Sequence, residues 1–225
     1  MNDPRAKRAR PTSPVEALLF DLDGTLVDSE PFHRQTLRNW FAARGWPADE
    51  DLLAGFAGRR LDDVLGTQSG PWDGEDVAAM MAEIGAQTAA LPSPELTAGA
   101  VRIIRERTGP IALVTSGAPG WARTCLGDLL DHFDVVITRD DVQRGKPDPE
   151  PYVRACAALG LEPSACAAVE DAPAGIRSAI DAGIGLVIGL AGTFAEPDLA
   201  AAHVVVDGLD DIPVLLESRL AAGSR

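Results

Sequence analysis

Cysteine, tyrosine, histidine and positive charge are all scarce in this chain. Only three cysteines occur in 225 residues, Cys125, Cys156 and Cys166. Their number is odd and no C-x-x-C pair is present, which excludes a disulfide framework and a thiolate metal knuckle and leaves reduced core thiols of a cytoplasmic protein. His33, His132 and His203 are too scattered to form a metal cluster by sequence alone. No apolar run approaches the ~20 residues that cross a bilayer, so no membrane partner is expected. The 20 Lys and Arg residues stand against 34 Asp and Glu, a formal net charge of -14. That argues against a nucleic-acid partner, because phosphate-backbone binding needs a basic face. The basic exception is Met1–Pro14, with Arg5, Lys7, Arg8 and Arg10 against Asp3. It lacks the apolar stretch of a secretory signal and is expected to be a disordered tail.

Short apolar runs are plentiful: Val15–Phe20, Ile111–Thr115, Val135–Thr138, Cys166–Val169, Leu186–Leu190 and Val204–Val206. Most are separated by segments of helical spacing, such as Val101, Ile104 and Arg105 before Gly109, or Tyr152, Cys156 and Leu159 before Gly160. Buried strands alternating with helices predict an α/β fold with a parallel sheet covered on both faces. Between Asp28 and about Leu96 the rhythm changes. Phe32, Leu37, Trp40 and Phe41 fit one face of a helix ending at Gly45, and Val77, Met80, Met81 and Ile84 fit i, i+3, i+4, i+7 in another. A helical insertion is expected there, returning through Leu91-Pro92-Ser93-Pro94 and lying over the end of the first strand.

That first strand ends in Phe20-Asp21-Leu22-Asp23-Gly24-Thr25-Leu26. Residues i and i+2 of an extended chain point to the same side, so Asp21 and Asp23 can face one pocket where ligands bind in open α/β sheets. One ionised carboxylate can attack phosphorus while a protonated one delivers a proton to the departing oxygen. Taken alone, the segment also fits an Asp-Gly turn or the opening of a calcium loop, although such a loop wants its glycine sixth rather than fourth. Three further segments lie at strand ends. Thr115-Ser116-Gly117 offers a hydroxyl and free backbone N–H groups before a helix from Pro119, a suitable phosphate cradle. Lys146, in Arg144-Gly145-Lys146-Pro147, could neutralise a carboxylate and a transferring phosphoryl group, or be a solvated surface lysine. Glu170-Asp171 closes another apolar strand, and Asp171 with Asp21 and the carbonyl of Asp23 could supply the few oxygens that Mg²⁺ takes.

These four segments, in this order, resemble the haloacid dehalogenase-like hydrolase superfamily over roughly Val15 to Leu216. The resemblance implies a Rossmann-like parallel sheet core with a small α-helical cap: tail 1–14, core 15–28 and 97–225, cap 29–96. It implies Asp21 as a nucleophile that becomes an aspartyl-phosphate, Asp23 as the acid that later activates water, and Thr115 as a ligand of the transferring group. Lys146 would clamp that group and Asp21. Asp21, Asp23 and Asp171 would hold Mg²⁺, with Glu170 a direct or water-mediated ligand. Val27-Asp28-Ser29-Glu30-Pro31 and His33 resemble the β-phosphoglucomutase-like branch, but Met80-Met81-Ala82-Glu83 offers no cation where that mutase has a cap lysine. Gly55-Phe56-Ala57-Gly58-Arg59-Arg60 is similar to the specificity loop of sugar- and polyol-phosphate phosphatases, so Ser116, Gly117, Arg59, Arg60 and His33 are candidate substrate contacts, with His33 equally a packed hinge residue. The four tryptophans read as packing.

The expectation is therefore a monomeric, Mg²⁺-dependent phosphatase of a small phosphorylated metabolite. A phosphosugar mutase and a non-catalytic binding protein of the same fold are the alternatives.

Overall fold

Strand β1, Ala17–Phe20, carries four consecutive apolar residues and is buried along its whole length. The computed structural model, which describes residues 15–56, 60–107 and 109–223, places it at the centre of a six-stranded sheet. The other strands are β2 Val27–Asp28, β3 Glu95–Leu96, β4 Ile111–Val114, β5 Val135–Ile137, β6 Cys166–Glu170, β7 Leu186–Leu190 and β8 Val204–Val206. The sheet runs β5-β4-β1-β6-β7-β8 with every pairing parallel. The basic tail expected at residues 1–14 lies outside the described residues.

Side chains alternate across the sheet as the period of two requires. Leu18, Phe20, Leu113, Val169 and Ile188 enter one apolar layer, under helices α5 Ala100–Glu106, α6 Pro119–Leu126 and α9 Asp211–Gly223. Leu19, Ala112, Val114, Ala168 and Val187 enter the opposite layer, under α7 Glu150–Leu159 and α8 Pro173–Asp181. Both faces are covered, which is why each strand reads as an unbroken apolar run rather than an alternating one. One helical face differs from expectation: Val101 is 39% exposed, while Ala100, Ile103 and Ile104 are buried. The helix starts after Gly99 and is rotated so that Ile103 takes the inward position.

The helical insertion comprises α1 Glu30–Arg44, α2 Glu50–Ala54, α3 Leu61–Thr67 and α4 Val77–Ala89. It has its own apolar cluster of Leu37, Trp40, Phe41, Leu53, Phe56, Val64, Leu65, Trp72, Met80 and Ile84. Fully burying a large apolar side chain is worth about 1.5–3 kcal/mol, so this cluster can hold short helices that would not form alone. Helix α1 ends at Gly45 in the left-handed conformation (φ 68°), its N–H donating to Ala42. The outgoing and returning chains pair as β2 and β3, an antiparallel ribbon of two residues each. Strands this short carry no readable periodicity, so no pattern in the chain announces them. Two connections thus tie the insertion to the sheet at the carboxyl end of β1.

Candidate active site

The carboxyl ends of β1, β4 and β6 lie side by side, with β1 between the other two. Each strand is followed by a residue group that the sequence singled out: Asp21 and Asp23 after β1, Thr115-Ser116-Gly117 after β4, Glu170-Asp171 at the end of β6. Gly24 turns the chain away with φ 79°, and a Cβ there would collide with the Asp171 carboxylate and with Thr193 Oγ1, so only glycine allows this approach. Helices α6 and α8 begin with Pro119 and Pro173, whose missing N–H groups cost nothing at a first helical position. Their N-termini face the same end of the sheet as the acidic groups.

Asp21, Glu170 and Asp171 are buried, and carboxylate oxygens of the three lie within 4.8 Å of one another. Lys146 is the cation among them. Its Nζ stands 2.6 Å from Asp21 Oδ1 and 2.6 Å from Glu170 Oε1, donates to the Val114 carbonyl at 2.8 Å and lies over the Tyr152 ring. The Tyr152 hydroxyl donates a short hydrogen bond to the same Glu170 oxygen. Burial drives the Asp21 carboxyl well above its ordinary value, the Lys146 charge opposing this and the neighbouring carboxylates adding to it. Asp171 is pushed up to about 7, chiefly by burial and by the Glu170 charge, against a hydrogen bond with Thr193 and the Lys146 charge. For Lys146 burial favours the neutral amine, but the Asp21 and Glu170 charges outweigh it and hold the ammonium above its usual range. Three close carboxylates against one ammonium form a hard-oxygen donor set with excess negative charge, which fits a Mg²⁺ site.

Asp23 is in a different environment. Its Oδ1 accepts from Trp121 Nε1 at 2.9 Å and lies 3.0 Å from His33 Nε2. Burial raises its value, but the bonds with His33, Trp121 and Ser29 and the His33 charge outweigh that, so Asp23 is lowered. Burial also lowers His33, yet the Asp23 contact and the Glu30 charge leave it raised. The two motif aspartates are therefore pushed in opposite directions, Asp21 towards the protonated form and Asp23 towards the carboxylate; a cation bound among Asp21, Glu170 and Asp171 would favour the Asp21 carboxylate.

A cleft of about 320 Å³ joins these groups to the helical cap. Its core side includes Asp21, Asp23, Ser116, Gly117, Trp121, Lys146 and Asp171; Leu53, Phe56, Arg60, Leu61, Met81 and Ile84 are on the cap side. Thr115, expected to contact substrate, is buried next to the cleft-lining Ser116, its Oγ1 accepting the Gly117 N–H at 2.9 Å and, among the described residues, its hydroxyl donating no hydrogen bond. Arg60 faces the cleft with its guanidinium on Asp62 and its stem over Gly145, where a Cβ would stand 2.7 Å from Arg60 Cδ. Arg59, Gly58 and Ala57 lie outside the described residues. Trp40, Trp46 and Trp72 pack in the cap as expected. Trp121 does not merely pack, and neither does Tyr152, the one tyrosine of the chain. A buried indole or phenol must find a polar partner, and that was the available signal for both. Thr193, beside Asp171, had none.

Residues 15–183 match the family model of the haloacid dehalogenase-like hydrolases. The validoxylamine A 7'-phosphate phosphatase of Streptomyces hygroscopicus subsp. limoneus is 39% identical over 201 residues, covering 86% of this chain and 94% of that protein. Hexitol phosphatase A of Escherichia coli is 35% identical, with 88% and 94% covered. Among solved structures, CbbY from Rhodobacter sphaeroides in complex with phosphate superposes with a TM-score of 0.73 at 27% identity, over 86% of this chain and 94% of that one. A β-phosphoglucomutase from Clostridium difficile, 22% identical, shares the fold with a TM-score of 0.76 over 94% and 100%. The motifs, the sheet order and these likenesses agree: the chain belongs to the haloacid dehalogenase-like hydrolases and is, within them, a phosphoric monoester hydrolase of the helical-cap branch.

Proposed function

We propose that the protein is a Mg²⁺-dependent phosphatase of small phosphorylated sugars or polyols, working through an aspartyl-phosphate at Asp21. The observation that carries this reading is the Lys146–Asp21 contact at the floor of a cleft roofed by the cap. Lys146 holds one oxygen of Asp21 and offers its positive charge to an entering phosphoryl group. The hydroxyl of Thr115 and the N–H of Ser116 are at hand for the phosphoryl oxygens, while the Gly117 N–H is held by Thr115 Oγ1.

In the first step a carboxylate oxygen of Asp21 forms a bond to phosphorus as the phosphorus–alkoxyl bond breaks. The departing oxygen takes a proton from Asp23. In the second, Asp23 takes a proton from water, whose oxygen attacks the same phosphorus and releases inorganic phosphate, restoring Asp21. Bound Mg²⁺, held by Asp21, Asp171, the Asp23 carbonyl and Glu170 directly or through water, would supply positive charge opposite the transferring group. Phosphoryl transfer depends chiefly on such positioning and charge stabilisation.

Two observations favour hydrolysis over mutase chemistry. The stretch Met80–Glu83 presents Met81 to the cleft, while Glu83 turns away to bond Trp40 and Arg44. Among the described cleft residues Lys146 is the sole lysine, so the cap offers no ammonium for a second phosphate. The sugar or polyol assignment draws on the phosphatases of validoxylamine A 7'-phosphate and of hexitol phosphates. We place the enzyme in the cytoplasm on its three free, buried cysteines, and take a monomer as the form to be tested by size-exclusion chromatography.

The test is hydrolysis of p-nitrophenyl phosphate and of a panel of sugar and polyol phosphates, with Mg²⁺ and with EDTA. Turnover is expected to require the metal and to fall at least about a thousandfold in Asp21→Asn, with folding retained. Activity that survives full chelation, or a near-native rate in the variant, contradicts the reading. Formation of glucose 6-phosphate from β-glucose 1-phosphate would instead promote the mutase.

A further inference from the structure

Asp23 Oδ1 is approached by two ring nitrogens from opposite sides of the cleft. His33 belongs to α1 of the cap, Trp121 to α6 of the core. Their rings meet Phe32 in one cluster at tilted angles, Phe32–Trp121 centroids 5.0 Å apart and His33–Trp121 5.3 Å apart. The two are chemically unequal. An imidazole nitrogen donates or accepts according to its tautomer, and the Ser29 hydroxyl that also meets this carboxylate can do either. An indole N–H can only donate. An oxygen that accepts the Trp121 Nε1–H at 2.9 Å therefore keeps that contact in either protonation state of the carboxyl group, whereas the His33 contact changes with the tautomer.

We propose that Trp121 is a positioning residue for the reaction: by donating to Oδ1 at 2.9 Å it fixes the rotation of the Asp23 carboxyl group in the cleft, and so the direction in which that group exchanges a proton with the leaving oxygen. Its place on α6, anchored in the sheet layer by Ala122, Cys125 and Leu126, keeps the donor in register with the β1 terminus. His33, by contrast, rides on the cap. Trp121 touches neither phosphorus nor the attacking oxygen and acts only through Asp23. The inference rests on the assignment of Asp23 as the acid, and the experiment separates the two.

The readout is the ratio of kcat/KM for p-nitrophenyl phosphate to kcat/KM for an alkyl phosphate, the best substrate among glycerol, glucose and sorbitol phosphates. Nitrophenolate leaves without a proton and an alkoxide does not, so loss of acid catalysis raises this ratio whereas loosened packing lowers both terms alike. General acid catalysis is worth about 10²–10⁴; Trp121→Phe, which keeps the ring and deletes the donor, is expected to raise the ratio about tenfold, and Asp23→Asn to raise it further. A ratio unchanged in Trp121→Phe but raised in Asp23→Asn overturns the positioning role alone. A ratio unchanged in both overturns the acid assignment and the inference with it. Should Trp121→Phe fail to fold, the indole N–H resonance of Trp121 decides: it is expected to lie downfield and to move upfield in Asp23→Asn, and a resonance that Asp23→Asn leaves in place overturns the proposal.

Discussion

Lys146 and Asp21, 125 positions apart in the chain, form a buried ion pair with 2.6 Å between Nζ and Oδ1. Breaking a buried pair by removing one partner leaves an uncompensated charge, at a cost of about 3–5 kcal/mol. Lys146→Met is therefore expected to lower the stability of the metal-free protein by about 3 kcal/mol, the low end because Asp21 can take up a proton. Urea unfolding measures it, and assays at saturating Mg²⁺ are expected to show kcat reduced at least about a hundredfold.

The Glu170 carboxylate lies directly against Gly175, where a Cβ would overlap both of its oxygens. Gly175 has an ordinary helical backbone, so alanine there adds steric pressure without backbone strain. Gly175→Ala is expected to push Glu170 off Lys146 and Tyr152 and to raise the Mg²⁺ concentration for half-maximal activity about tenfold. Isothermal titration with Mg²⁺, independent of turnover, checks the same shift.

Asp171 sits at about 7, above the 3.8 of a free carboxyl. Between those values the folded protein binds a proton that the unfolded chain has lost, so this contribution to stability is full below pH ~4 and is lost as pH rises through about 7. Mg²⁺ competes with that proton. Thermal stabilisation by the metal is expected to be larger at pH 8 than at pH 5.5, approaching about 2.7 kcal/mol at a hundred times the dissociation constant. Melting curves with Mg²⁺ and with EDTA at the two pH values test the sign.

His33 is raised and Asp23 lowered by their contact. The histidine contribution is present below its unfolded value of 6.5 and lost as pH rises through the raised value; the aspartate contribution is present above 3.8 and lost as pH falls through the lowered one. The pair thus stabilises most between the two. With the His33 side chain 45% exposed, solvent screening limits the effect to about 0.5–1 kcal/mol. His33→Gln is expected to be less stable than the parent by this amount near pH 5.5 and indistinguishable at pH 9, in chemical denaturation without metal.

The sheet was legible because it is covered on both faces. Its strands had to be unbroken apolar runs, and five of the six expected runs differ from the observed strands by at most one residue at an end; β1 alone starts two residues later than expected. Helices α1 and α4 were legible from their periodicity and from Gly45. The β2–β3 ribbon and the rotation that turns Val101 outward were not, since two-residue pairing and helix phase depend on what lies opposite.

By itself the sequence determined which residues end the strands, and so which acidic, hydroxyl and basic groups reach the carboxyl edge of the sheet. Strand endings follow from local apolar patterning, and residues two apart on an extended chain share a side. Only the tertiary structure decided the partners: Trp121 and His33 on one oxygen of Asp23, Tyr152 and Lys146 on one oxygen of Glu170. Those contacts depend on how separate helices are rotated and packed against the sheet, which no local pattern encodes.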